Sequence, residues 1–190
     1  MATDRILLIS GTVKGSQLLQ DMLGAIPGEL MLAQNGAEAR RSLAEGDFAL
    51  VLINSPLSDE FGHDLALDFV TNTAAGVVLL VKAELNEEVA ERVEPGGVLC
   101  LAKPMTRSAM LHTLRIAMAT HTRLNQVLQE KRALERRLEQ QRLVDHAKFL
   151  LMENAAMTEA QAHRYLVKQA MDLRTTKEAV ANQVLSLYEI

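Results

Sequence analysis

Several apolar runs in the first half of the chain end in residues whose types bear on phosphate chemistry. One run is followed by Ser10 and Gly11, another by Asn54 and the last by Lys103, whereas the fourth ends in Val81. A phosphoacceptor site needs an aspartate nucleophile, acids that hold a magnesium ion, and a hydroxyl and a lysine that bind the phosphoryl oxygens. Because an amide cannot form an acyl phosphate, these residues predict a site that has kept its lysine and lost the reaction.

Three acids follow Asn54 closely, namely Asp59, Glu60 and Asp64. A phosphorylation-dependent regulator could use one of them in place of the missing carboxylates. We expect instead that they are solvated or cap helices, because short acidic side chains often bond the free backbone N–H groups at a helix start. Both alternatives are open at this point.

The elements that position these residues alternate along the first 105 residues. The apolar runs are continuous, as is typical of strands covered on both faces, and they alternate with amphipathic segments. We predict strands at 6–9, 29–33, 48–53, 77–81 and 98–102, and helices at 16–23, 37–44, 62–70 and 87–93. Parallel neighbours need crossover helices, so the fold class is α/β with a doubly wound five-stranded parallel sheet. Ligands bind such sheets at the carboxyl ends of the strands, where the polar residues lie.

Residues 4 to about 118 resemble the receiver domain of two-component response regulators. The resemblance rests on Asn54 at the end of the third strand, the proline-bearing loop after it, Gly62 eight positions on, and Lys103 followed by Pro104. It implies a flavodoxin-like fold. It also places the family's acidic pair on Ser10 and Gly11, its acceptor on Asn54, its hydroxyl on Val81 and its lysine on Lys103. Only the lysine matches, so the resemblance implies a pseudo-receiver.

A long helix is predicted after this domain, because residues 106 to about 153 contain neither glycine nor proline. Residues within it step by alternating intervals of 3 and 4, which is the pattern of a coiled-coil seam. The seam comprises Leu124, Val127, Lys131, Leu134, Leu138 and Gln141. We expect a homodimer through this seam; the alternative is a helix that lies on its own domain.

Two shorter helices are predicted after the long one. Thr158 with Gln161, and Thr175 with Glu178, each fit the capping box at a helix start. The apolar faces that follow can close a three-helix module with the end of the long helix. The predicted domains are thus 1–118 (receiver-like), 119–142 (coiled-coil linker) and 143–190 (three-helix module).

Residues 143–188 resemble the ANTAR domain, a three-helix RNA-binding module of transcription antitermination regulators. The resemblance rests on pairs that occur in order: Ala147-Lys148 before Leu151-Met152, Glu159-Ala160, Ala170-Met171 and Val180-Ala181. It implies binding to paired stem-loops in a leader mRNA, which prevents a terminator from forming.

Five basic residues are the candidates for RNA contact, namely Lys148, Arg164, Lys168, Arg174 and Lys177. Arg164 and Lys168 lie four apart on the helix face opposite Ala162 and Leu166, so both can project outward together. Basic side chains there can contact phosphates or unpaired loop bases. Without the resemblance, a solvated surface explains these residues equally well.

Charge and composition are consistent with two domains that have different functions. Residues 1–120 hold 9 basic and 15 acidic residues, net −6, whereas residues 121–190 hold 11 and 9, net +2. Residues 121–190 therefore accommodate a polyanion better than residues 1–120. The lone cysteine, Cys100, lies in an apolar run and is expected to be buried and inert. The histidines lack metal-ligand spacing and no glycine loop fits a nucleotide site, so we expect no metal and no cofactor.

These expectations combine into a non-enzymatic, cytoplasmic, RNA-binding transcription antitermination regulator. Because the acceptor is degenerate, we expect control by a ligand-sensing partner protein rather than by phosphorylation. Two alternatives are open: a phosphorylation-dependent two-component response regulator, and a protein-interaction scaffold that uses the C-terminal helices. An enzyme is disfavoured because no strand end collects a nucleophile and a base.

Overall fold

A computed structural model describes residues 4–188 of the chain, except for the side chains of Ala44 and Glu45. The chain divides into two compact units between Val127 and Leu128. The predicted boundaries after residues 118 and 142 remain predictions, since the division falls between them, inside one continuous helix.

The first unit is built on a parallel five-stranded sheet in the order β2-β1-β3-β4-β5. Its strands are β1 (Arg5–Ser10), β2 (Glu29–Ala33), β3 (Leu50–Asn54), β4 (Gly76–Lys82) and β5 (Leu99–Lys103). The predicted doubly wound, flavodoxin-like sheet is confirmed. Ser10 is in register with Asn54, and Lys82 with Lys103, so the polar residues meet at one edge.

Four helices connect the strands: α1 (Val13–Leu23), α2 (Gly36–Glu45), α3 (His63–Asn72) and α4 (Asn86–Val93). Short 3-10 turns at Ala83–Leu85 and Glu94–Gly96 flank α4. The peptide bonds Ser55–Pro56 and Lys103–Pro104 are both cis. Gly62 precedes α3 with a φ of 102°, in the left-handed region that favours glycine, and a Cβ there would lie 3.1 Å from Ile53 Cγ2.

The sheet separates two apolar cores. One contains Leu7, Val51 and Phe69 on the side of α2, α3 and α4, and the other contains Leu8, Leu52 and Leu114 on the side of α1 and the long helix. Strands β1, β3 and β4 are buried on both faces, as their continuous apolar runs predict.

The two edge strands are less covered than the sequence pattern predicts. Leu30 and Leu32 of β2 are exposed, and Cys100 of β5 is only partly buried because β5 has a neighbour on one side alone. Burial, with a smaller effect from Glu94, raises the pKa of the Cys100 thiol to about 11. The raised pKa disfavours the reactive thiolate, although the side chain is not as enclosed as expected.

The long helix α5 runs from Arg107 to Ala155. Its end packs with α6 (Glu159–Asp172) and α7 (Lys177–Tyr188) in the second unit. The core of this three-helix unit contains Val144, Ala147, Leu151, Ala162, Leu166, Ala170, Val180, Ala181 and Val184. Small residues at several of these positions allow the helices to approach closely.

The cap of α6 is as predicted and the cap of α7 is not. Thr158 and Gln161 form the capping box of α6. At α7, the backbone N–H of Ala179 donates to Thr176 Oγ1 at 3.2 Å, so Thr176 rather than Thr175 caps the helix. The Thr175 backbone N–H instead closes the end of α6 by donating to the Ala170 carbonyl, which places Thr175 outside α7. Among residues 4–188, no helix is long and apolar enough to cross a membrane.

Candidate nucleic-acid interface and degenerate acceptor site

Asn54 sits at the centre of a hydrogen-bonded chain across the carboxyl ends of the strands. Lys103 Nζ donates to Asn54 Oδ1 at 2.8 Å and also to the Ser55 carbonyl. Asn54 Nδ2 donates to Ser10 Oγ at 3.1 Å. A lysine only donates, so it fixes the amide with its oxygen toward Lys103 and its nitrogen toward Ser10.

This geometry explains why an amide fits position 54. In this network the side chain accepts from Lys103 and donates to Ser10, whereas a carboxylate can only accept. Ser10 is buried, so its hydroxyl benefits from a fixed partner. The predicted loss of acceptor chemistry thus coincides with a polar network that an amide completes.

Helix α1 closes over this network at Gly15. A Cβ at Gly15 would lie 2.7 Å from Thr12 Oγ1, 2.9 Å from Asn54 Nδ2 and 3.2 Å from Ser10 Oγ. Thr12 caps α1 by accepting from the Gly15 backbone N–H. The start of α1 therefore lies directly against Asn54 on the side of Ser10.

The remaining strand-end residues add no acidic group. Val81 is buried and apolar, and Gly11 is exposed and has no side chain. Burial lowers the pKa of Lys103, and the neighbouring charge of Lys82 lowers it further. The edge thus holds cations without carboxylates, which is the reverse of a magnesium site.

The three loop acids have partners away from Asn54. Asp59 accepts from the backbone N–H groups of Gly36 at 2.9 Å and Ala37 at 3.0 Å, so it caps α2. These bonds, Gly36 first, lower the pKa of Asp59. The capping role expected for this group of acids is confirmed at Asp59.

Glu60 and Asp64 form ion pairs between helices or loops. Glu60 binds both terminal nitrogens of Arg40, which also reaches Asp68 at 3.0 Å. Asp64 pairs with Arg92 at 3.1 Å and lies 3.3 Å from His63 Nε2. Among the side chains that the structure describes, no group of three or more His, Cys, Asp or Glu could hold a metal ion.

In the second unit, one face of α6 carries unpaired cations. Arg164 and Lys168 are exposed, and neither has an ion-pair partner among the described side chains. They line an open hollow of about 530 Å³ together with Met157, Gln161 and Tyr165. The opposite face of α6 packs into the core through Ala162, Leu166 and Ala170, as the sequence predicts.

Lys148 contrasts with these two residues. Its side chain is only 13% exposed, and its Nζ lies 2.7 Å from Asp145 Oδ1 and 3.3 Å from Glu159 Oε1. The bond to Asp145 is the main cause of the raised pKa of Lys148. Lys148 therefore joins α5 to α6, and its charge is already compensated by two carboxylates.

The other two candidates lie between α6 and α7. Arg174 is exposed and has a φ of 52°, and Lys177 is exposed at the first position of α7. The structure does not place either of them in the hollow that Arg164 and Lys168 line.

The predicted seam of α5 is uncovered in the single chain. Its apolar members are 40% to 61% exposed, namely Leu124, Val127, Leu134 and Leu138. Lys131 pairs with Glu135 on its own helix at 3.7 Å, and Gln141 donates to Asp145 at 3.0 Å. Whether the seam is a dimer interface stays a prediction.

The first unit is receiver-like in fold, and the second unit is a three-helix module with a cationic face. Residues 132–185 match the ANTAR domain family. The chain is 28% identical over 170 residues to the transcriptional regulatory protein PdtaR of Mycobacterium tuberculosis, which covers 90% of this chain and 82% of that protein. The resemblance to an ANTAR regulator with a receiver-like domain is confirmed.

Solved structures extend the likeness to the fold of the first unit. The signal receiver domain of an HD domain-containing protein from Pseudomonas fluorescens Pf-5 has a TM-score of 0.60 at 23% identity, covering 66% of this chain and 94% of that one. A response regulator receiver domain protein from Clostridium thermocellum has a TM-score of 0.57 at 18% identity, covering 64% and 98%.

Sequence reasoning missed three residues that shape these sites. Gly15 was not connected with Asn54, because no local pattern reveals a contact between helix α1 and strand β3. Glu159 was not recognised as a partner of Lys148, which lies 11 positions away. Tyr165 is absent from the sequence-based candidates, although its position between Arg164 and Lys168 in the sequence is a signal that could indicate the cationic hollow.

Proposed function

We propose that the protein is a non-enzymatic RNA-binding transcription antitermination regulator that acts in the cytoplasm. The observation that carries this proposal is the unpaired cationic face of α6 within a unit that matches the ANTAR family. Cations without acidic partners can neutralise phosphates at no cost in broken ion pairs. The target is a leader mRNA with paired stem-loops.

Dimerisation through the α5 seam raises the affinity of the regulator for paired stem-loops. Four exposed apolar side chains at heptad spacing support this part of the proposal. Two linked RNA-binding units meeting two stem-loops convert the second contact into an intramolecular one. The residues 119–142 then serve as linker and dimerisation helix between the receiver-like and RNA-binding domains.

The receiver-like unit acts without phosphorylation and is controlled by a ligand-sensing partner protein. Three observations support phosphorylation independence: the amide of Asn54 is held by Lys103 and Ser10, α1 closes against it, and the loop acids are engaged elsewhere. The same engagement disfavours the alternative of a substitute acceptor. A pull-down that recovers no sensor protein under any nutrient condition would contradict partner control.

A single-round transcription assay tests the RNA-binding role. The template carries a leader with tandem stem-loops followed by a terminator, and the readout is the fraction of transcripts that read through. We expect the full chain to increase readthrough, and Arg164→Glu with Lys168→Glu to abolish the increase by repelling phosphates.

Charge reversal in the first unit is the matched control. Lys14 and Arg115 are exposed there, so Lys14→Glu with Arg115→Glu changes net charge by the same amount. Readthrough that survives the α6 double variant, or that the control variant loses equally, would count against the proposed interface. If the protein were a scaffold that binds only other proteins, neither the wild type nor any of these variants would change readthrough.

A further inference from the structure

Tyr165 is placed differently from the other exposed aromatic side chains of the second unit. Phe149, Tyr165 and Tyr188 are each at least 37% exposed. Of these, Tyr165 alone lines the hollow between α6 and the end of α5. It lies next to Arg164 in sequence and one helical turn before Lys168, so its ring has cationic neighbours within the same site.

The walls of the hollow suit a flat ligand. Residues Gln161, Arg164, Tyr165 and Lys168 recur at intervals of 3, 1 and 3, so they form one face of α6. The rest of the lining is apolar: α5 ends at Ala155, Ala156 follows in the left-handed region with a φ of 53°, and Met157 is partly buried. The ring of Tyr165 and this apolar lining together offer a surface on which a planar ring can stack.

Gln161 supplies a fixed polar group at the same place. Its Oε1 accepts from the Thr158 backbone N–H at 2.8 Å in the capping box, which fixes the orientation of the amide. Among residues 4–188, its Nε2 has no hydrogen-bond partner. The hollow therefore combines an aromatic face, an oriented amide donor and two cations.

We infer that this hollow binds one unpaired loop base of the RNA, stacked on Tyr165, while Arg164 and Lys168 contact the flanking phosphates; the inference rests on the proposed RNA-binding function. Sequence-specific recognition of RNA is directed at unstacked bases in loops, which stack on aromatic side chains. Gln161 Nε2 donates to an acceptor on the edge of that base. The ligand is thus a looped stem, and a continuous duplex lacks the group that the hollow accommodates.

The test starts from a library of tandem stem-loop RNAs with fixed stems and randomised loops, from which the full chain selects its preferred loops. The selected RNA is then made with 2-aminopurine at each loop position in turn, because stacking on an aromatic ring quenches its fluorescence. The comparison RNA has the same stems closed into a continuous duplex.

We expect one loop position to be quenched on binding to the wild type and to Tyr165→Phe, but not to Tyr165→Leu. Tyr165→Leu should weaken binding of the looped RNA roughly 10-fold or more, and leave binding of the duplex unchanged. The slope of log Kd against log salt concentration should be the same as in the wild type, since no charge is removed. Tyr188→Leu is the matched control and should behave as the wild type.

The remaining outcomes distinguish a failure of the inference from a failure of the proposed function. If the looped RNA binds and Tyr165→Leu keeps wild-type affinity and quenching, the inference is wrong and the proposed function stands. Equal losses for looped RNA and duplex, or for Tyr165→Phe and Tyr165→Leu, also overturn it. If the Tyr165→Leu variant unfolds at a far lower temperature than the wild type, the test rests on the wild-type protein. The absence of quenching at every loop position in the wild-type complex would then refute stacking. If selection yields no bound RNA, the proposed function itself fails.

Discussion

Asn54 differs from an aspartate by the replacement of one oxygen with an NH₂ group, yet its surroundings differ from an acceptor site much more. The amide donates to Ser10 and accepts from Lys103, and Gly15 brings α1 against it. Restoring a carboxylate at this one position returns a nucleophile without restoring the metal-binding acids that an acyl phosphate needs.

The variant Asn54→Asp should therefore gain no phosphoryl group. The protein is incubated with acetyl phosphate and Mg²⁺, and its intact mass is measured. A triple variant that adds Ser10→Asp and Gly11→Asp is the informative comparison, since it supplies the missing acids. A mass gain of one phosphoryl group in the single variant, or in the wild type, would show that the strand ends still support the chemistry.

Asp59 makes stability depend on acid pH. Its pKa is lowered from the ordinary value of 3.8, first by the Gly36 N–H and then by the Ala37 N–H. A group with a lowered pKa in the folded state contributes stability that is present above its unfolded pKa and lost as the pH falls through the folded one.

The variant Asp59→Asn should consequently be less stable than the wild type at neutral pH and differ from it progressively less below about pH 4. Urea unfolding followed at several pH values measures the difference. A gap between the two proteins that widens on acidification would contradict the cap assigned to Asp59.

At the scale of single helices, the caps of the second unit distinguish two neighbouring threonines. Thr176 accepts from the Ala179 N–H, whereas the Thr175 N–H donates to the Ala170 carbonyl through the backbone. We expect Thr176→Ala to cost about 1 kcal/mol of stability and Thr175→Ala less than about 0.5 kcal/mol. Thermal unfolding of the two variants measures this, and equal losses would argue for a cap shared by both residues.

The seam of α5 gives a second prediction at this scale. Leu134→Glu with Leu138→Glu should convert a dimer into monomers, because charges replace apolar side chains at core positions of the coiled coil. Gln129→Glu with Gln140→Glu adds the same charge to the same helix outside the seam and should leave the dimer intact. Sedimentation equilibrium measures the mass, and a wild type that is monomeric at all concentrations would refute the dimer.

The elements that sequence predicts best are those with the strongest local pattern. Strands β1, β3 and β4 are buried on both faces and were visible as continuous apolar runs, and the start of α6 was visible as a capping box. The α7 cap was displaced by one residue because Thr175 and Thr176 have the same chemistry, and only the backbone bond from Thr175 to Ala170 distinguishes them.

Contacts between distant segments cannot be predicted from local sequence patterns. In the sequence Lys148 is a candidate for a free cation. In the structure it forms ion pairs with Glu159 of the next helix and with Asp145 of the preceding turn. The edge positions of β2 and β5 likewise depend on strand order, which explains why Cys100 is less buried than its apolar neighbours indicate.

For the molecule as a whole, the first unit lacks the carboxylates that phosphoryl transfer needs, whereas the second unit presents cations that can bind phosphate. The first unit places Lys103 and an amide where an acceptor would need carboxylates. The second presents Arg164 and Lys168, which have no acidic partner in the part of the chain that the structure describes. A regulator built this way should respond to RNA and to a partner protein rather than to a phosphodonor. Its affinity for RNA should fall as salt rises, since phosphate contacts release counterions.

The most direct measurement is the affinity of the full chain for a tandem stem-loop RNA over a range of salt concentrations, with and without acetyl phosphate and Mg²⁺. We predict salt-dependent binding that is the same in both conditions and that Arg164→Glu with Lys168→Glu strongly weakens. Binding that is absent at every salt concentration, or that appears only after treatment with the phosphodonor, would contradict the account.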